Sequence, residues 1–268
     1  TLVDKYKGKD TFTTFNEGYL FYLQLNFKNN TVANKNVREA LAYAINRKDL
    51  CENVLKDGSM AATGFVPSQL STSPAGKDFR DDADKYVSYD QKKAQEYLDA
   101  AKKELGTDTI TIDLLYGTDE SPMDTMAEYL QGSFTKLKGL KVNMVATVKK
   151  DRIYNREANG NFQVVCTRWG PDYADPTTYL NLFLTGNQNN YGKYSNAKVD
   201  SLMKQVQAES DLNKRWDLMT QVEKTALDDL AYIPVFEKGA AALKAKNVKG
   251  VVHSPVGVPY TFKYVTIK

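Results

Sequence analysis

The chain has 268 residues, of which 42% are hydrophobic and 26% are charged, the composition of an ordinary globular protein. Its 36 Lys and Arg against 33 Asp and Glu give a net charge of +3, spread along the chain, which argues against a nucleic-acid-binding surface. No stretch approaches the roughly 18 apolar residues of a membrane span, and we recognise no signal peptide. Residues 1–5 resemble the interior of a protein, so we expect a missing upstream part that could carry an export signal or a lipid anchor.

A strand and a helix are predicted first along the chain. Residues 18–26 are rich in aromatic and aliphatic side chains, which favours a strand. Residues 37–45 repeat apolar side chains at helical spacing and predict a helix with one buried face. Asn36 is the expected N-cap of this helix, and Glu39 three residues later completes a capping-box-like pattern.

The next part of the chain predicts two helices separated by a long irregular segment. The first helix is expected over residues 47–56 and is expected to stop at Gly58. Residues 59–89 contain two prolines and many small polar residues, and a loop of this length is uncommon unless it carries function or packs on another part. Residues 90–105 then carry an apolar helical stripe that ends at Gly106.

A strand–helix–strand unit follows in the middle of the chain. Residues 109–115 and 141–148 alternate apolar and polar side chains, as half-buried strands do. Residues 122–137 between them have an apolar helical face, with Ser121 as the expected cap and Pro122 at the first helical position. This βαβ pattern is typical of a sheet covered by helices, so we expect an α/β fold with a central mixed sheet.

The second half of the chain predicts one more buried strand, at residues 162–168, after a short helix near residues 152–158. The later helices are expected near residues 177–184, 197–208 and 213–230. The tail contains strand-like runs at residues 232–236, 241–243 and 262–267.

The segment directly after the buried strand, residues 169–176 (WGPDYADP), is the strongest candidate for a binding site, and we call it the Trp segment. Open α/β sheets usually bind ligands at the carboxyl ends of their strands. Trp and Tyr offer flat apolar surfaces, and a partly desolvated carboxylate is a charge-assisted partner for an ammonium group. An equally weighted alternative is structural, in which Asp175 before Pro176 only caps the next helix.

Catalytic and metal-binding patterns are weak in this sequence. His253 is the only histidine, and both cysteines, Cys51 and Cys166, are far from it along the chain. A zinc site or a Cys–His nucleophile pair needs further groups, and no Gly-rich phosphate loop occurs. We therefore expect no enzyme activity, no cofactor and no metal. The cysteines are predicted to be separate buried thiols, because one lies on a helix and the other in a buried strand.

Three stretches of the chain resemble the extracellular solute-binding proteins of family 5, the oligopeptide- and dipeptide-binding proteins of bacterial ABC transporters. Residues 23–26 (LQLN) and 36–47 (NVREALAYAINR) are similar to an early signature of the family. Residues 168–176 are similar to its Trp motif, and residues 229–236 (DLAYIPVF) are similar to a late stretch. These matches follow the family's order along nearly the whole chain.

The resemblance implies a periplasmic-binding-protein-like lobe of type II, one half of a two-lobed clamshell that encloses an extended peptide. It implies that Asp172 holds the α-ammonium group of the peptide and that Trp169 walls a side-chain pocket. Gly170 and Tyr173 belong to the same ligand-binding motif. In enteric-type members an arginine slightly upstream of the Trp motif helps to bind the peptide carboxylate. Arg168 is the nearest basic residue here, but it directly precedes Trp169 and does not occupy the same position in the motif.

The resemblance also implies a division of the chain and a set of partners. Residues 1–17 would connect to a missing N-terminal lobe, residues 18–238 would form the ligand-binding C-terminal lobe, and residues 239–268 would return toward the first lobe. The partners would be an oligopeptide, the permease subunits of an ABC importer and the missing lobe, with no nucleic acid. The tyrosine-rich composition resembles that of Gram-positive members, which implies an extracellular lipoprotein.

Several other functions stay open at this point. The same fold could take another cargo, such as nickel, haem or an oligosaccharide, although a single histidine and an intact Asp172 favour an amine-bearing ligand. A hydrolase would need a nucleophile and a base that are not evident. A surface adhesin or a peptide-pheromone receptor would use the same site, and the sequence does not separate it from an importer component.

Two polar residues of the early signature are expected to have structural roles. Arg38 is expected to form an ion pair within the lobe and to hold its helix to the sheet. Asn26 is expected to bond backbone groups at the end of a strand.

Overall fold

A six-stranded mixed sheet lies at the centre of the structure, a computed structural model that describes residues 2–9, 11–86 and 88–268. Its strands are β1 (Phe12–Leu25), β2 (Met60–Ala61), β3 (Ile110–Gly117), β4 (Leu140–Thr147), β5 (Val164–Trp169) and β6 (Tyr232–Leu243). They lie in the order β2–β6–β1–β5–β3–β4. β1 is antiparallel to β5 and β6, whereas β3 is parallel to β4 and β5. The predicted βαβ unit and the predicted buried strand at residues 162–168 are confirmed.

Helices connect the strands and cover the sheet. They are α1 (Leu2–Tyr6), α2 (Asn30–Ala33), α3 (Lys35–Ala44), α4 (Arg47–Asp49), α5 (Phe79–Asp82), α6 (Gln91–Leu105), α7 (Met123–Phe134), α8 (Lys149–Asp151), α9 (Thr177–Leu180), α10 (Ala197–Ala208) and α11 (Leu212–Asp228). Three of them continue without a break: α4 and α8 as π-helices over Leu50–Leu55 and Arg152–Glu157, and α9 as a 3₁₀ helix over Asn181–Phe183.

β1 is buried on both faces because it lies in the middle of the sheet and side chains alternate along a strand. Phe21, Leu23 and Leu25 pack with the core formed by α3, α6 and α7. Leu20 and Tyr22 pack with the core formed by α9, α10 and α11. A strand covered by helices on both sides needs an almost continuous apolar sequence, which explains the run that predicted it.

β1 and β6 are both longer than the sequence predicted. β1 begins at Phe12 rather than at residue 18, and β6 is one strand where two short runs were predicted. The two strands pair along most of their length, which stabilises stretches whose own sequences are polar or small. They also run through the predicted domain boundaries at 17–18 and 238–239, and the division of the chain there stays a prediction.

The chain after β6 forms two small sheets. β7 (Val248–Lys249) pairs with β10 (Thr266–Ile267), and β8 (Val252–His253) pairs with β9 (Tyr260–Thr261). The strand predicted over residues 262–267 is therefore wrong for all but its last part, because only Thr266–Ile267 finds a partner strand.

The predicted N-cap of α3 is wrong by two residues. Asn34 is the cap, and its Oδ1 accepts a hydrogen bond from the Val37 N–H at 3.2 Å. The residue three positions after the cap is therefore Val37, so Glu39 completes no capping box. Asn36 instead donates to Glu104 on α6 at 2.8 Å and links the two helices.

Two other helix ends differ from the prediction. Pro122 occupies the N-cap position of α7 without a side-chain hydrogen bond, so Ser121 is not the cap. The helix predicted over residues 47–56 forms, but its second half is π-helical. It is closed by Lys56 in the left-handed conformation, with φ 49°, rather than by Gly58.

The long segment of residues 59–89 is held to the body of the protein by a buried carboxylate. Glu223 on α11 accepts hydrogen bonds from the backbone N–H groups of Phe65 and Val66, both at 2.8 Å, and forms an ion pair with Arg80. Glu223 is fully buried and Arg80 is 8% exposed. The segment thus packs on another part of the chain, one of the two expected reasons for its length.

Arg38 holds α3 in place through carbonyl groups, and the predicted ion pair is wrong. Its guanidinium donates to the carbonyl oxygens of Val32, Ala33 and Asp229 and stacks on the ring of Phe27. Within the described part of the chain, no carboxylate lies at ion-pair distance from it. Because Asp229 directly precedes the turn into β6, the contact does tie the helix to the sheet.

Asn26 and the cysteines behave as predicted. Asn26 donates to the carbonyl oxygens of Gly160 and Phe162 at the end of β1. Cys51 and Cys166 are both buried and free. Among the described residues, no helix is long and apolar enough to cross a membrane.

Candidate ligand-binding site

The Trp segment leaves the sheet at the carboxyl end of β5, between β1 and β3. Trp169 is the last residue of this strand and lies opposite Leu20 of β1. The backbone then turns away and is fixed by Thr178, whose hydroxyl accepts a hydrogen bond from the Asp172 N–H at 3.0 Å. The buried hydroxyl of Tyr179 also donates to the Gly18 carbonyl oxygen, which locks the turn against β1.

Asp172 presents its carboxylate to solvent. The residue is exposed, and its side chain forms no hydrogen bond or ion pair with any described residue. Only its backbone is engaged, through the bond to Thr178. An exposed carboxylate on a fixed turn is available to a ligand cation without first losing a protein partner.

Asp175, the second carboxylate of the Trp segment, is structural. Its two oxygens accept hydrogen bonds from the guanidinium of Arg215 at 2.7 and 3.0 Å, and Oδ1 also accepts from the backbone and hydroxyl of Thr177. Burial acts to raise the pKa of Asp175, but the bonds from Arg215 and Thr177 lower it below its usual range. The structural alternative therefore applies to Asp175, which joins the start of α9 to α11.

Gly170 and Tyr173 are also fixed by neighbours within the chain. A Cβ atom on Gly170 would lie 2.3 Å from the Tyr19 ring, so only glycine allows this close approach. The Tyr173 hydroxyl lies 3.3 Å from the Thr177 hydroxyl and accepts from Asn181 at 3.2 Å, and its side chain is half exposed.

A cavity of about 270 Å³ opens beside Trp169. It is lined by residues of β1, of the loop before α7, of α8 with its π-helix, of β5 and of the loop before α10. These residues are Tyr19, Tyr22, Gln24, Glu120, Lys149, Arg152, Ile153, Glu157, Thr167, Arg168, Trp169, Asn189 and Tyr191.

Buried charges form the floor of this cavity. Arg152 is 2% exposed and donates to Glu120 Oε2 at 2.8 and 3.2 Å, to Glu157 and to the Thr167 hydroxyl at 2.9 Å. Burial raises the pKa of Glu157 to about 7, an effect larger than the opposing attraction of Arg152. One arginine thus holds two carboxylates.

Two cations lie at the rim of the cavity. The Lys149 Nζ and the Arg168 Nε are each 3.6 Å from Glu120 Oε1, too far for a hydrogen bond. Arg168 also lies over the rings of Tyr19 and Phe21, at 5.1 and 5.9 Å. Lys149 is 48% and Arg168 33% exposed, so their N–H groups are open to a ligand.

Three buried polar atoms of the lining have no hydrogen-bond partner among the described residues. They are Gln24 Oε1, Glu120 Oε1 and Trp169 Nε1. Buried polar groups are normally paired, and unpaired ones concentrate where a ligand or water completes the site. Their grouping around one cavity favours a binding role for it.

The raised pKa of Glu157 predicts a pH-dependent stability. In the unfolded chain Glu157 loses its proton near its ordinary pKa of 4.5, whereas in the folded chain it keeps the proton up to about pH 7. The folded state therefore binds more protons in this window, and the stabilisation is present at low pH and is lost as the pH rises from 4.5 to 7. Glu157→Gln should remove this loss, so the free energy of unfolding of the variant should change little between pH 5 and pH 8. The free energy of unfolding of the wild type, measured relative to that of the variant, should therefore be about 1–3 kcal/mol lower at pH 8 than at pH 5. Urea unfolding at the two pH values checks this, and parallel pH curves for both proteins would contradict it.

The structure brings only part of the predicted site together. Arg168 and Trp169 line the cavity, Gly170 and Asp172 follow directly, and Tyr173 turns back onto the start of α9. The floor and half of the rim were not predicted from the sequence: they are formed by Gln24, Glu120, Lys149, Arg152 and Glu157. Isolated charged residues in unremarkable segments gave no signal, because only the fold buries them beside one another.

A mixed sheet with helices on both faces and a polar cavity at the end of a central strand defines a ligand-binding α/β domain. The chain belongs to the bacterial extracellular solute-binding proteins of family 5: residues 1–191 match the family described as "Bacterial extracellular solute-binding proteins, family 5 Middle". The expected periplasmic-binding-protein-like fold is confirmed.

Three of the similar proteins are about twice as long as this chain. The whole chain is 32% identical to half (50%) of a dipeptide-binding protein of Lactococcus lactis subsp. cremoris (strain MG1363). One similar structure is the substrate-binding domain of an oligopeptide ABC transporter from Bacillus anthracis str. Ames. The match covers 99% of this chain and 52% of that chain, at a TM-score of 0.85 and 32% identity. The pheromone receptor PrgZ matches the same shares of both chains, at a TM-score of 0.83 and 33% identity. The chain therefore spans about half the length of these proteins.

Proposed function

We propose that the complete protein binds extracellular oligopeptides in a cleft between this lobe and a second one, and delivers them to an ABC importer. The observation that carries the proposal is the Asp172 carboxylate, fixed on a turn at the end of a central strand, exposed and unpaired among the described residues. It follows Trp169, which lines a cavity, by three residues along the chain. An ammonium group that leaves water needs such a carboxylate, or its desolvation opposes binding.

Each predicted site residue has a role in this proposal. Asp172 binds the α-ammonium group of the peptide, and Trp169 forms the wall of the adjacent side-chain pocket. Gly170 and Tyr173 hold the backbone of the turn in a position where an extended peptide can pair with its backbone groups. Arg168 contributes a cation at the rim of the cavity. Main-chain pairing gives affinity without selecting sequence, which suits a receptor for varied peptides.

The second lobe would cover the cleft and contact the tail of this chain. Large apolar side chains of the tail are exposed: Leu243, Val252, Val258, Phe262, Tyr264 and Ile267. A further cavity of about 480 Å³ lies between the tail and the start of β1. Apolar surface of this kind favours burial against another part of a protein. It supports the division in which residues 239–268, with residues 1–17, connect to an N-terminal lobe.

The remaining parts of the proposal concern location and chemistry. The protein would act outside the cell, anchored as a lipoprotein, and would contact the permease subunits of the importer. It would have no enzymatic activity and no cofactor. The second candidate is a receptor for peptide signals, which the similarity to PrgZ supports, and it would use the same cleft.

Native mass spectrometry of the complete protein, loaded with a mixture of di- to octapeptides, tests the proposal. We expect retention of peptides with free amino ends, in the presence of competing nickel, haem and oligosaccharides. Retention of a competitor in place of peptides would contradict peptide binding. Uptake of the retained peptides, compared between cells with and without the protein, separates an importer component from a signal receptor.

A further inference from the structure

The turn that carries Asp172 is fixed on its upstream side by the sheet. Trp169, the last residue of β5, pairs with Leu20 of β1. Pro171 lies against Gly18 of the same strand, where a Cβ atom on the glycine would be only 3.0 Å from the proline ring. These contacts place the backbone that enters the turn, but they do not place the backbone that leaves it.

The downstream side of the turn is α9, a helix of four residues followed by three residues of 3₁₀ helix. Helices shorter than roughly 12–15 residues are marginal on their own in water. The N-cap position of α9 is occupied by Pro176, whose side chain cannot accept a hydrogen bond. Thr178 on α9 accepts the bond from the Asp172 N–H at 3.0 Å, so the position of Asp172 depends on what fixes the start of this helix.

A two-pronged ion pair fixes the start of α9. The Arg215 Nη1 and Nη2 atoms donate to the Asp175 Oδ2 and Oδ1 atoms at 2.7 and 3.0 Å. Asp175 Oδ1 also accepts from the backbone N–H and the hydroxyl of Thr177, the first residue of α9, at 3.0 and 2.6 Å. Two parallel bonds define an orientation as well as a distance. The side chains of Arg215 and Asp175 are only 25% and 29% exposed, so the pair is partly shielded from water.

Arg215 is carried by a helix that has a firm position of its own. α11 has 17 residues, and it buries Trp216 and Met219 in the core that it forms with α9 and α10. Such a helix can hold a short neighbour in place. The contacts therefore run from α11 through Arg215 and Asp175 to the start of α9, and from there to the backbone of Asp172.

Apolar packing of α9 is the alternative to this arrangement. Tyr179 and Leu180 are fully buried and anchor the helix without any ion pair. Apolar contacts are not directional, however, whereas a ligand carboxylate has to point toward its partner. The ion pair of Arg215 adds this directional constraint to the packing.

We propose that Arg215 is a positioning residue for ligand binding. Through Asp175 and α9 it holds the Asp172 carboxylate in the orientation that receives the amino end of a peptide, without contacting the peptide. This inference rests on the proposed function and adds a determinant of specificity, because the preference for a free amino end then depends on a residue of α11. Loss of a positive charge would by itself favour an ammonium group, so a weaker preference reports geometry.

Calorimetric titration of the complete protein tests the positioning role. The probes are trialanine and pentaalanine, each with a free and with an acetylated amino end. The proteins are wild type, Arg215→Met, Arg215→Lys and the control Lys214→Met. Methionine keeps the apolar stem without donors, and lysine keeps the charge but cannot form two parallel bonds. Lys214 is exposed and removes the same charge from the adjacent position of α11.

We expect the wild type to prefer the free amino end and Arg215→Met to reduce the ratio of the two affinities about tenfold, because charge-assisted hydrogen bonds weaken steeply when their angles change. Arg215→Lys should give an intermediate ratio, and Lys214→Met should keep the ratio of the wild type. The ratio is the decisive readout, since a general loss of structure would weaken free and acetylated peptides equally. If Arg215→Met does not fold, the ratio for Arg215→Lys decides.

Three outcomes would contradict the inference, and they are distinguishable. An unchanged ratio in the Arg215 variants, or an equal change in Lys214→Met, would overturn the positioning role and leave the proposed function intact. If the wild type bound free and acetylated peptides alike, the roles of Asp172 and Arg215 would both be rejected, while peptide binding would stand. Absence of binding by every probe would reject peptide binding itself.

Discussion

Arg80→Met is expected to lower the free energy of unfolding by about 3–5 kcal/mol, the usual cost of removing one partner of a buried ion pair. Among the described residues, the substitution leaves the carboxylate of the fully buried Glu223 with two partners, the backbone N–H groups of Phe65 and Val66. Methionine keeps most of the apolar volume, so the loss reports the charge. The segment of residues 59–89 should open first, because Glu223 anchors it to α11. Urea unfolding followed by hydrogen exchange of this segment measures both effects.

An exposed ion pair beside the buried one supplies the control. Lys224, the next residue on α11, pairs with Asp84 and Asp228 but is 53% exposed. Lys224→Met should leave the unfolding transition almost unchanged, because exposed pairs contribute little. If both variants lost the same free energy of unfolding, the buried Arg80 pair would contribute no more to stability than the exposed pair does.

Asp172→Asn is expected to weaken peptide binding by the complete protein by about 2–5 kcal/mol, the usual effect of truncating one half of a charged pair that becomes buried on binding. The variant should fold normally, because the wild-type carboxylate has no partner among the described residues. Acetylation of the peptide amino end should weaken binding to the wild type by a similar amount. It should weaken binding to Asp172→Asn little further. Trp169→Ala should cost less, because an extended peptide keeps its backbone contacts.

Calorimetry of free and acetylated peptides with each variant measures these losses. Asp217→Asn is the matched control, since Asp217 is exposed on α11 and outside the cavity lining. It should bind peptides as the wild type does. If acetylation left binding to the wild type unchanged, Asp172 would not hold the amino end, and binding of internal peptide segments would be the better interpretation.

The sequence predicted the elements whose local pattern and tertiary surroundings agree. The βαβ unit of β3, α7 and β4 alternates or repeats its apolar residues as the structure buries them. The Trp segment was located because the strand before it has an apolar run at Val164, Val165 and Cys166, and because the segment itself is rich in turn residues. Its two carboxylates differ in their partners for a reason outside the segment: Arg215, forty residues later, pairs with Asp175, whereas the Asp172 side chain has no partner among the described residues.

The sequence by itself thus determined the α/β class, the core faces of the main helices and the position of the candidate binding turn, because hydrophobic periodicity and turn chemistry are local properties. Only the tertiary structure decided which polar residues meet. The partners Glu120 and Arg152 come from separate connections of the sheet, and Arg80 and Glu223 are 143 positions apart. The energy of a buried charge depends on the distance and burial of its partner, and neither quantity is encoded by any one stretch of the chain.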